Sequence, residues 1–162
     1  MRIGILSDSH DHVERTCEAV RILKANGADV LVHCGDLTTS KIVAECAVLP
    51  FYFVIGNHDA DNVPALREAA DEHKATCLDW VDEFSVGNKR VGVTHGHLTM
   101  ALQPLLDSCP DYLLSGHSHL AHDRMSGTTR RKNPGALYRA AMYSVAILDV
   151  DADDVEFLDV PP

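Results

Sequence analysis

Arg2-Ile3-Gly4-Ile5-Leu6-Ser7-Asp8-Ser9-His10 is the stretch on which the fold reading turns. A short apolar run stops abruptly in a carboxylate, a hydroxyl and an imidazole. A continuous apolar run of this length suits a parallel strand buried on both faces. Polar groups at its carboxyl end lie where open α/β sheets bind their ligands. Working outward, Val13, Cys17, Val20 and Leu23 fall at helical spacing. Residues 29–34 read as a second strand, 42–49 as a second helix and 51–55 as a third strand. Strands alternating with helices imply right-handed βαβ units and a parallel sheet. After about residue 75 the pattern changes. Residues 80–86 and 89–94 flank Gly87-Asn88, which predicts a tight hairpin. Residues 98–106 read as helix and 111–115 as strand, and 145–150 and 155–160 as two strands around 151–154. The expected fold is α/β, with a mixed second sheet packed on the first and helices outside. Residues 1–162 are expected to form a single domain.

Composition narrows the class of protein. Hydrophobic residues make up 46% of the chain, enough for a substantial core, and no apolar run approaches the ~20 residues that span a bilayer. The chain enters its first strand with no signal-peptide pattern, so a cytoplasmic protein without membrane contact is expected. Five cysteines, with no C-x-x-C among them, argue against a disulfide framework or a structural zinc site. A net charge of −10 opposes long polyanions, so no long nucleic acid is expected as partner.

The opening pattern recurs. Asp8-Ser9-His10, Gly35-Asp36, Gly56-Asn57-His58-Asp59, His95-Gly96-His97 and Gly116-His117-Ser118-His119 each follow an apolar run. Asp and Asn at loop starts are ordinarily turn or cap residues, and a lone histidine there is ordinarily a packing residue. Five such clusters, each at a strand end, instead point to one common site. Carboxylate, amide oxygen and imidazole together suit a hard or borderline divalent ion. Absence of thiolate sets the group apart from structural zinc. Asp8, His10, Asp36, Asn57, His95, His117 and His119 are too many for one ion with an open position. They suit two ions about 3.5–4 Å apart bridged by a carboxylate. Gly35 before Asp36 permits a tight turn there.

The order D-x-H, G-D, G-N-H-D, H-G-H, G-H-x-H resembles that of the calcineurin-like metallophosphoesterases. The chain length and Asn133-Pro134-Gly135 narrow the resemblance to the small single-domain phosphodiesterases of bacteria and archaea. It runs from residue 3 to about residue 150. The resemblance implies a four-layer αββα sandwich with two mixed sheets. It implies that Asp8, His10 and His119 hold one metal and Asn57, His95 and His117 the other, with Asp36 bridging. His58 would be the general acid or a phosphate contact, oriented by Asp59, and His97 would stand behind the ligands. His33 reads as a packed strand residue, and solvent exposure is the default for His12, His73 and His122. Two divalent ions are implied, manganese first, with nickel, zinc, iron and magnesium as alternatives. Relatives of this kind are often homodimers.

The implied reaction is hydrolysis of a small phosphate ester, a phosphodiester foremost, by a metal-activated hydroxide with His58 protonating the leaving oxygen. A different class of function, a non-catalytic scaffold of the same fold binding protein partners, has a precedent in the retromer complex. Erosion of the metal and acid positions would mark it, and His10 and His58 are both present. Two departures from the family pattern stand out. Ala136 follows Asn-Pro-Gly where the family often has Ser, and Thr128 to Lys132 is polar and basic where the family is usually apolar. With Arg124 and Arg139 that segment reads either as a solvated hairpin or as a positive lip receiving the substrate phosphate.

Overall fold

Alternation along the opening strand decides what each layer buries. Ile3 and Ile5 face one way into one apolar cluster, and Leu6 faces the other way into a second. The computed structural model describes residues 1–162. In chain order the elements are β1 (Arg2–Leu6), α1 (Val13–Ala25), β2 (Val30–His33), α2 (Ser40–Cys46), β3 (Phe51–Phe53), a 3₁₀ turn over Asn57–Asn62, α3 (Val63–His73), β4 (Thr76–Cys77), β5 (Val81–Val86), β6 (Lys89–Thr94), α4 (Thr99–Asp107), β7 (Tyr112–Leu114), β8 (His122–Ser126), β9 (Thr129–Asn133), β10 (Tyr143–Asp149) and β11 (Asp154–Val160).

One sheet has the order β11-β10-β1-β2-β3-β4, with β1 to β4 parallel and β10 and β11 antiparallel. The other has the order β5-β6-β7-β9-β8, parallel at β6-β7-β9 and antiparallel at both margins. Both sheets are mixed, as the family resemblance implies; the strand–helix alternation alone predicts the parallel run β1 to β4 but not the antiparallel β10 and β11 beside it. Ile3, Ile5, Val30 and Val32 from the first sheet meet Val91, Val93, Tyr112 and Leu114 from the second in a buried layer. On the far side of the first sheet, Leu23 of α1, Ile42 of α2 and Leu66 of α3 pack on Leu31, Phe53 and Ile147. On the outer face of the second sheet, Leu105 of α4 lies against Gly92, where a Cβ would come within 2.9 Å of its side chain. The four layers are therefore α1–α3, sheet, sheet, α4.

Element boundaries follow the sequence reading to within a few residues, with α2 ending at Cys46 rather than at 49. The largest addition is α3, for which no helix was predicted. Leu66, Ala69 and Ala70 give it an apolar stripe at i, i+3 and i+4, and Pro64 starts its first turn. That stripe is short and alanine-rich, so its apolar signal is weak.

The basic segment is neither a solvated hairpin nor a single lip. Its strand alternates, so its cations part company. Arg130 and Lys132 of β9 turn inward beside Tyr112 and Leu114, their partners in register. Lys132 is fully buried, with its Nζ 3.0 Å from Asp123 of β8 and 5.8 Å from the Tyr112 ring centre. Arg130 pairs with Asp123 at 2.5 Å and with Asp153 in the β10–β11 turn at 2.9 Å. The Tyr112 hydroxyl also donates to Asp153, at 2.8 Å. Through Asp153 the network ties the two sheets together at the end opposite the carboxyl ends of β1 and β2. Burial pushes the Lys132 ammonium below the ordinary lysine range, against the pull of Asp123. Removing one partner of a buried pair strands the other charge. Asp123→Leu should therefore lower unfolding free energy by about 3 kcal/mol in urea titration. Lys132→Met, which removes the buried charge and keeps the stem volume, should cost less than about 1.5 kcal/mol.

Candidate metal centre

Each polar cluster sits at a strand's carboxyl end, and the loops interlock by backbone. Asp8 N–H donates to the Gly35 carbonyl at 3.0 Å, His10 N–H to the Asp36 carbonyl at 3.0 Å, and Gly116 N–H to the His95 carbonyl at 3.1 Å. These bonds lace the loops within each sheet, and the loops of the two sheets join where His117 N–H meets the Asp8 carboxylate. The approach is so close that a Cβ on Gly116 would collide with the Ser7 hydroxyl and come within 2.8 Å of the Asp8 carboxylate. Gly35 has φ +96° and faces the His95 ring, as the tight turn before Asp36 requires. Asp8, His10, Asp36, His117 and His119 all have φ between 42° and 66°. Non-glycine residues rarely adopt that conformation, which costs about 1–3 kcal/mol and persists where surroundings over-determine it.

The side chains converge as follows. Asp8 is fully buried; its Oδ2 accepts from the Ser7 hydroxyl at 2.6 Å and from His117 N–H at 3.1 Å. Its Oδ1 has no hydrogen-bond partner and lies 3.2 Å from His119 Nε2 and 4.0 Å from His95 Nε2. Asp36 Oδ2 lies between His10 Nε2 at 3.3 Å and His95 Nε2 at 3.4 Å. Asn57 Oδ1 is 3.1 Å from His95 Nε2. The His117 ring centre stands 5.0 Å from that of His95. Two sets of ligand atoms close enough for one ion emerge, Asp8 with His10 and His119, and Asp8 with Asp36 and His95. The first is the trio the family resemblance implies. In the second, Asp8 stands with Asp36 and His95, and Asn57 Oδ1 lies nearer His95 Nε2 than either carboxylate does.

The donor set fits divalent cations. A buried carboxylate oxygen with no hydrogen-bond partner is costly unless a cation meets it. Burial opposes charge on Asp36, but hydrogen bonds from His10 and His95 and the His95 charge hold its carboxyl well below the usual range. Burial likewise opposes charge on His95, yet Asp36 and Asp8 raise its pKa above the ordinary histidine value. The carboxylates thus draw positive charge into the centre. The rings are also oriented from behind. His95 Nδ1–H donates to the Cys34 carbonyl at 2.7 Å and His119 Nδ1–H to that of Arg139 at 3.3 Å. Each bond leaves Nε2 to offer its lone pair inward, the arrangement a metal-binding histidine needs.

Asp59 has another role than the expected one. Its buried carboxylate accepts N–H bonds from Thr38 at 2.6 Å, Gly56 at 2.7 Å and Asp36 at 2.9 Å. It clamps the loops after β2 and β3 rather than the His58 ring. His58 is held instead through its backbone, whose N–H donates to Asp36 Oδ1 at 2.9 Å. Its exposed side chain borders a cavity of about 350 Å³ with His10, Asp36, His117, Tyr138 and Arg139. His97 stands 5.3 Å from the His95 ring and 5.8 Å from Trp80, outside the cavity lining.

Tyr138, His33 and Asn133 take parts that the sequence reading did not give them. Tyr138 packs 4.6 Å from the His10 ring and 5.1 Å from His12, and Arg139 lies 4.9 Å above Tyr138, so the loop after Asn-Pro-Gly walls the cavity. His33 is more than packing. Gly35 N–H donates to its Nδ1 at 3.2 Å, so its Nε2–H donates to Ser9 Oγ at 3.0 Å, joining two site loops. Asn133 donates to the Gly116 carbonyl at 2.8 Å and Ser118 Oγ at 3.1 Å, steadying the His117 loop. The Ala136 departure is explained too. That side chain is fully buried and does not line the cavity at the centre, and the Ser144 hydroxyl donates to the Pro134 carbonyl at 2.7 Å to close the turn.

The calcineurin-like phosphoesterase superfamily domain matches residues 1–153. The chain belongs to that superfamily. This phosphoesterase is 25% identical over 156 residues to a phosphodiesterase of Methanocaldococcus jannaschii, covering 93% of this chain and 94% of that one. It is 28% identical over 171 residues to a Bacillus subtilis protein described as a probable metallophosphoesterase, covering 98% and 91%. Membership and these relatives make it a hydrolase of phosphoric esters. A solved archaeal phosphodiesterase shares the fold, with a TM-score of 0.89 at 23% identity over 99% of this chain and 100% of that one. Vps29 of Entamoeba histolytica shares it more loosely, with a TM-score of 0.65 at 18% identity over 99% and 100%.

Burial drives the His33 pKa down to about 3, so the ring is neutral in the folded protein. The unfolded ring protonates near pH 6.5. The folded state then binds fewer protons between pH 6.5 and 3, and stability falls as pH falls through that window. For this one ring the loss approaches ~1.4 kcal/mol per pH unit. The raised pKa of His95 acts only above pH 6.5 and leaves this window alone. Urea titrations of metal-free protein should show a shallower acid slope in His33→Phe than in wild type. The same variant should be less stable at pH 7, because Gly35 N–H loses its acceptor.

Proposed function

We propose that this phosphoesterase hydrolyses a small phosphodiester at a two-metal centre held by Asp8, His10, Asp36, Asn57, His95, His117 and His119. The observation that carries the reading is the pair of buried carboxylates. Asp36 Oδ2 is shared between His10 and His95, and Asp8 Oδ1 is without a hydrogen-bond partner beside His119. Two anions so placed beside imidazoles turned inward by carbonyls favour a cation on either side of Asp36. Divalent ions, when bound, polarise phosphoryl oxygens and lower the pKa of a water molecule toward neutrality. Manganese is our first choice, by family analogy.

The chain's own residues do the rest. Asp8 and Asp36 supply fixed negative charge, and the Cys34 and Arg139 carbonyls keep His95 and His119 in the tautomer that accepts a metal. His58, exposed at the cavity and anchored through its backbone, donates a proton to the departing ester oxygen. Arg139 offers a guanidinium at the cavity mouth, where no ion pair holds it, to the incoming phosphate. Tyr138 limits the cavity on the His10 side. We place the enzyme in the cytoplasm, as a homodimer acting on small esters rather than on long nucleic acid.

The deciding experiment is activity of metal-stripped protein on a panel of phosphate mono- and diesters, with manganese, nickel, zinc and magnesium restored singly. Restored diesterase turnover supports the reading. Tight metal binding without turnover on any ester would favour a scaffold instead.

Two substitutions probe roles within the centre. Asp36→Asn should lose bound metal and nearly all turnover, because the carboxylate between the two ligand sets is gone. Two tightly held ions per chain by elemental analysis would refute the bridging role. His58→Ala should keep its metals and lose about 10²–10⁴ in rate on esters with poor leaving groups, and much less on a nitrophenyl ester. Equal losses on both would make His58 a phosphate-binding group.

A further inference from the structure

Arg124 and Arg131 face each other across the β8–β9 ladder as partners in register. Like charges directly opposite on one sheet face repel. Neither has an ion-pair partner, in a chain of net charge −10 whose Arg130 and Lys132, on the other face, are both paired. Arg131 lies in register with Leu113 of β7, on the outer face. Both arginines, with His122, line a cavity of about 130 Å³ on that face. No acidic side chain borders it.

Polar atoms there lack partners. Arg131 Nε and His122 Nε2 are buried with no hydrogen bond. A buried donor without an acceptor costs about 1–3 kcal/mol. Burial first, and then Arg124, work against the charge on Arg131. A like-charged pair, one member partly buried with an orphaned donor, is an arrangement that an anion relieves on every count. The cavity holds roughly four water volumes at ~30 Å³ each, enough for one tetrahedral oxyanion. Hydroxyls of Ser115, Ser118 and Thr94 and the Asn133 side chain complete its polar wall. His117 borders both this cavity and the larger one at the metal centre.

We propose that this outer-face cavity is a second oxyanion site, built from Arg131, Arg124 and His122 to bind a phosphate group one imidazole away from the metal centre. Guanidinium groups suit such a ligand because their forked donors match its oxygens. The phosphate has two candidate sources, a second phosphate carried by the ester substrate or free inorganic phosphate. Only the first of these rests on the phosphoesterase reading.

Inorganic phosphate is the probe for binding. It is titrated into the protein before and after removal of divalent ions, while the Nε–Hε resonance of Arg131 is followed by NMR. The expected result is a saturable shift in both forms, weakened at least tenfold in Arg124→Gln; in Arg131→Gln, which lacks that resonance, the accompanying shifts of the Ser115 and Asn133 backbone amides at the cavity wall are lost. Arg124 is exposed and Arg131 is replaced by a polar side chain, so both variants should fold; unchanged backbone spectra check this. A shift that stays linear to high millimolar phosphate, or that persists unchanged in Arg124→Gln, overturns the proposal. Because the signal is read without turnover, it stands or falls apart from the catalytic reading. Turnover then separates the sources. If the substrate supplies the phosphate, Arg131→Gln lowers kcat/KM at least tenfold on an ester bearing a second phosphate and leaves the matching ester without one unchanged. If free phosphate is the ligand, the two esters respond alike, and the phosphate concentration that alters wild-type turnover no longer does so in Arg131→Gln.

Discussion

One buried carboxylate holds the site in register. Asp59 accepts three backbone N–H bonds, from Asp36, Thr38 and Gly56, and so joins the loop after β2 to the loop after β3. Burial raises its pKa while the backbone bonds oppose that rise, so the bonds are what make an anion tolerable there. Everything downstream inherits this placement. Asp36, its backbone pinned by Asp59, receives His10 and His95 on one oxygen and the His58 backbone on the other. Shift Asp59 and the distances between both sheets' ligands change together.

The same loops store strain. Five of the seven proposed ligands sit in left-handed backbone, a density no folding preference favours. Interlocking hydrogen bonds among loops from both sheets offset that cost, and stiff parallel strands behind them leave little room to relax. A centre so over-determined presents its donors without first ordering them, and this preorganisation favours tight binding.

What the sequence revealed, and what it hid, divides along physical lines. Strand-end polar clusters were legible because a β-strand aims its carboxyl end at one place, so Asp8, Asp36 and His95 could be grouped without coordinates. Asp59 was noticed but misassigned, because nothing in a string of letters distinguishes a carboxylate that binds amides from one that binds a ring. His33 and Asn133 were undervalued for a related reason: their work is done on backbone groups of loops far away in sequence. Residues 128–132 misled because net charge was summed over a segment whose alternation sends Arg130 and Lys132 inward and Arg131 outward. Helix α3 was missed because alanine carries its buried stripe.

The two sheets are joined at both ends, by different means. At the end away from the ligands, Arg130 and the Tyr112 hydroxyl reach Asp153 in the β10–β11 turn. At the ligand end, His117 N–H reaches the Asp8 carboxylate and the His95 ring reaches the Cys34 carbonyl. A book clasped at both spine and fore-edge cannot fan open. The opening between Asp8 and Asp36 on one sheet and His95 and His117 on the other is therefore set by the fold itself, and a cation entering it must match that width rather than choose it.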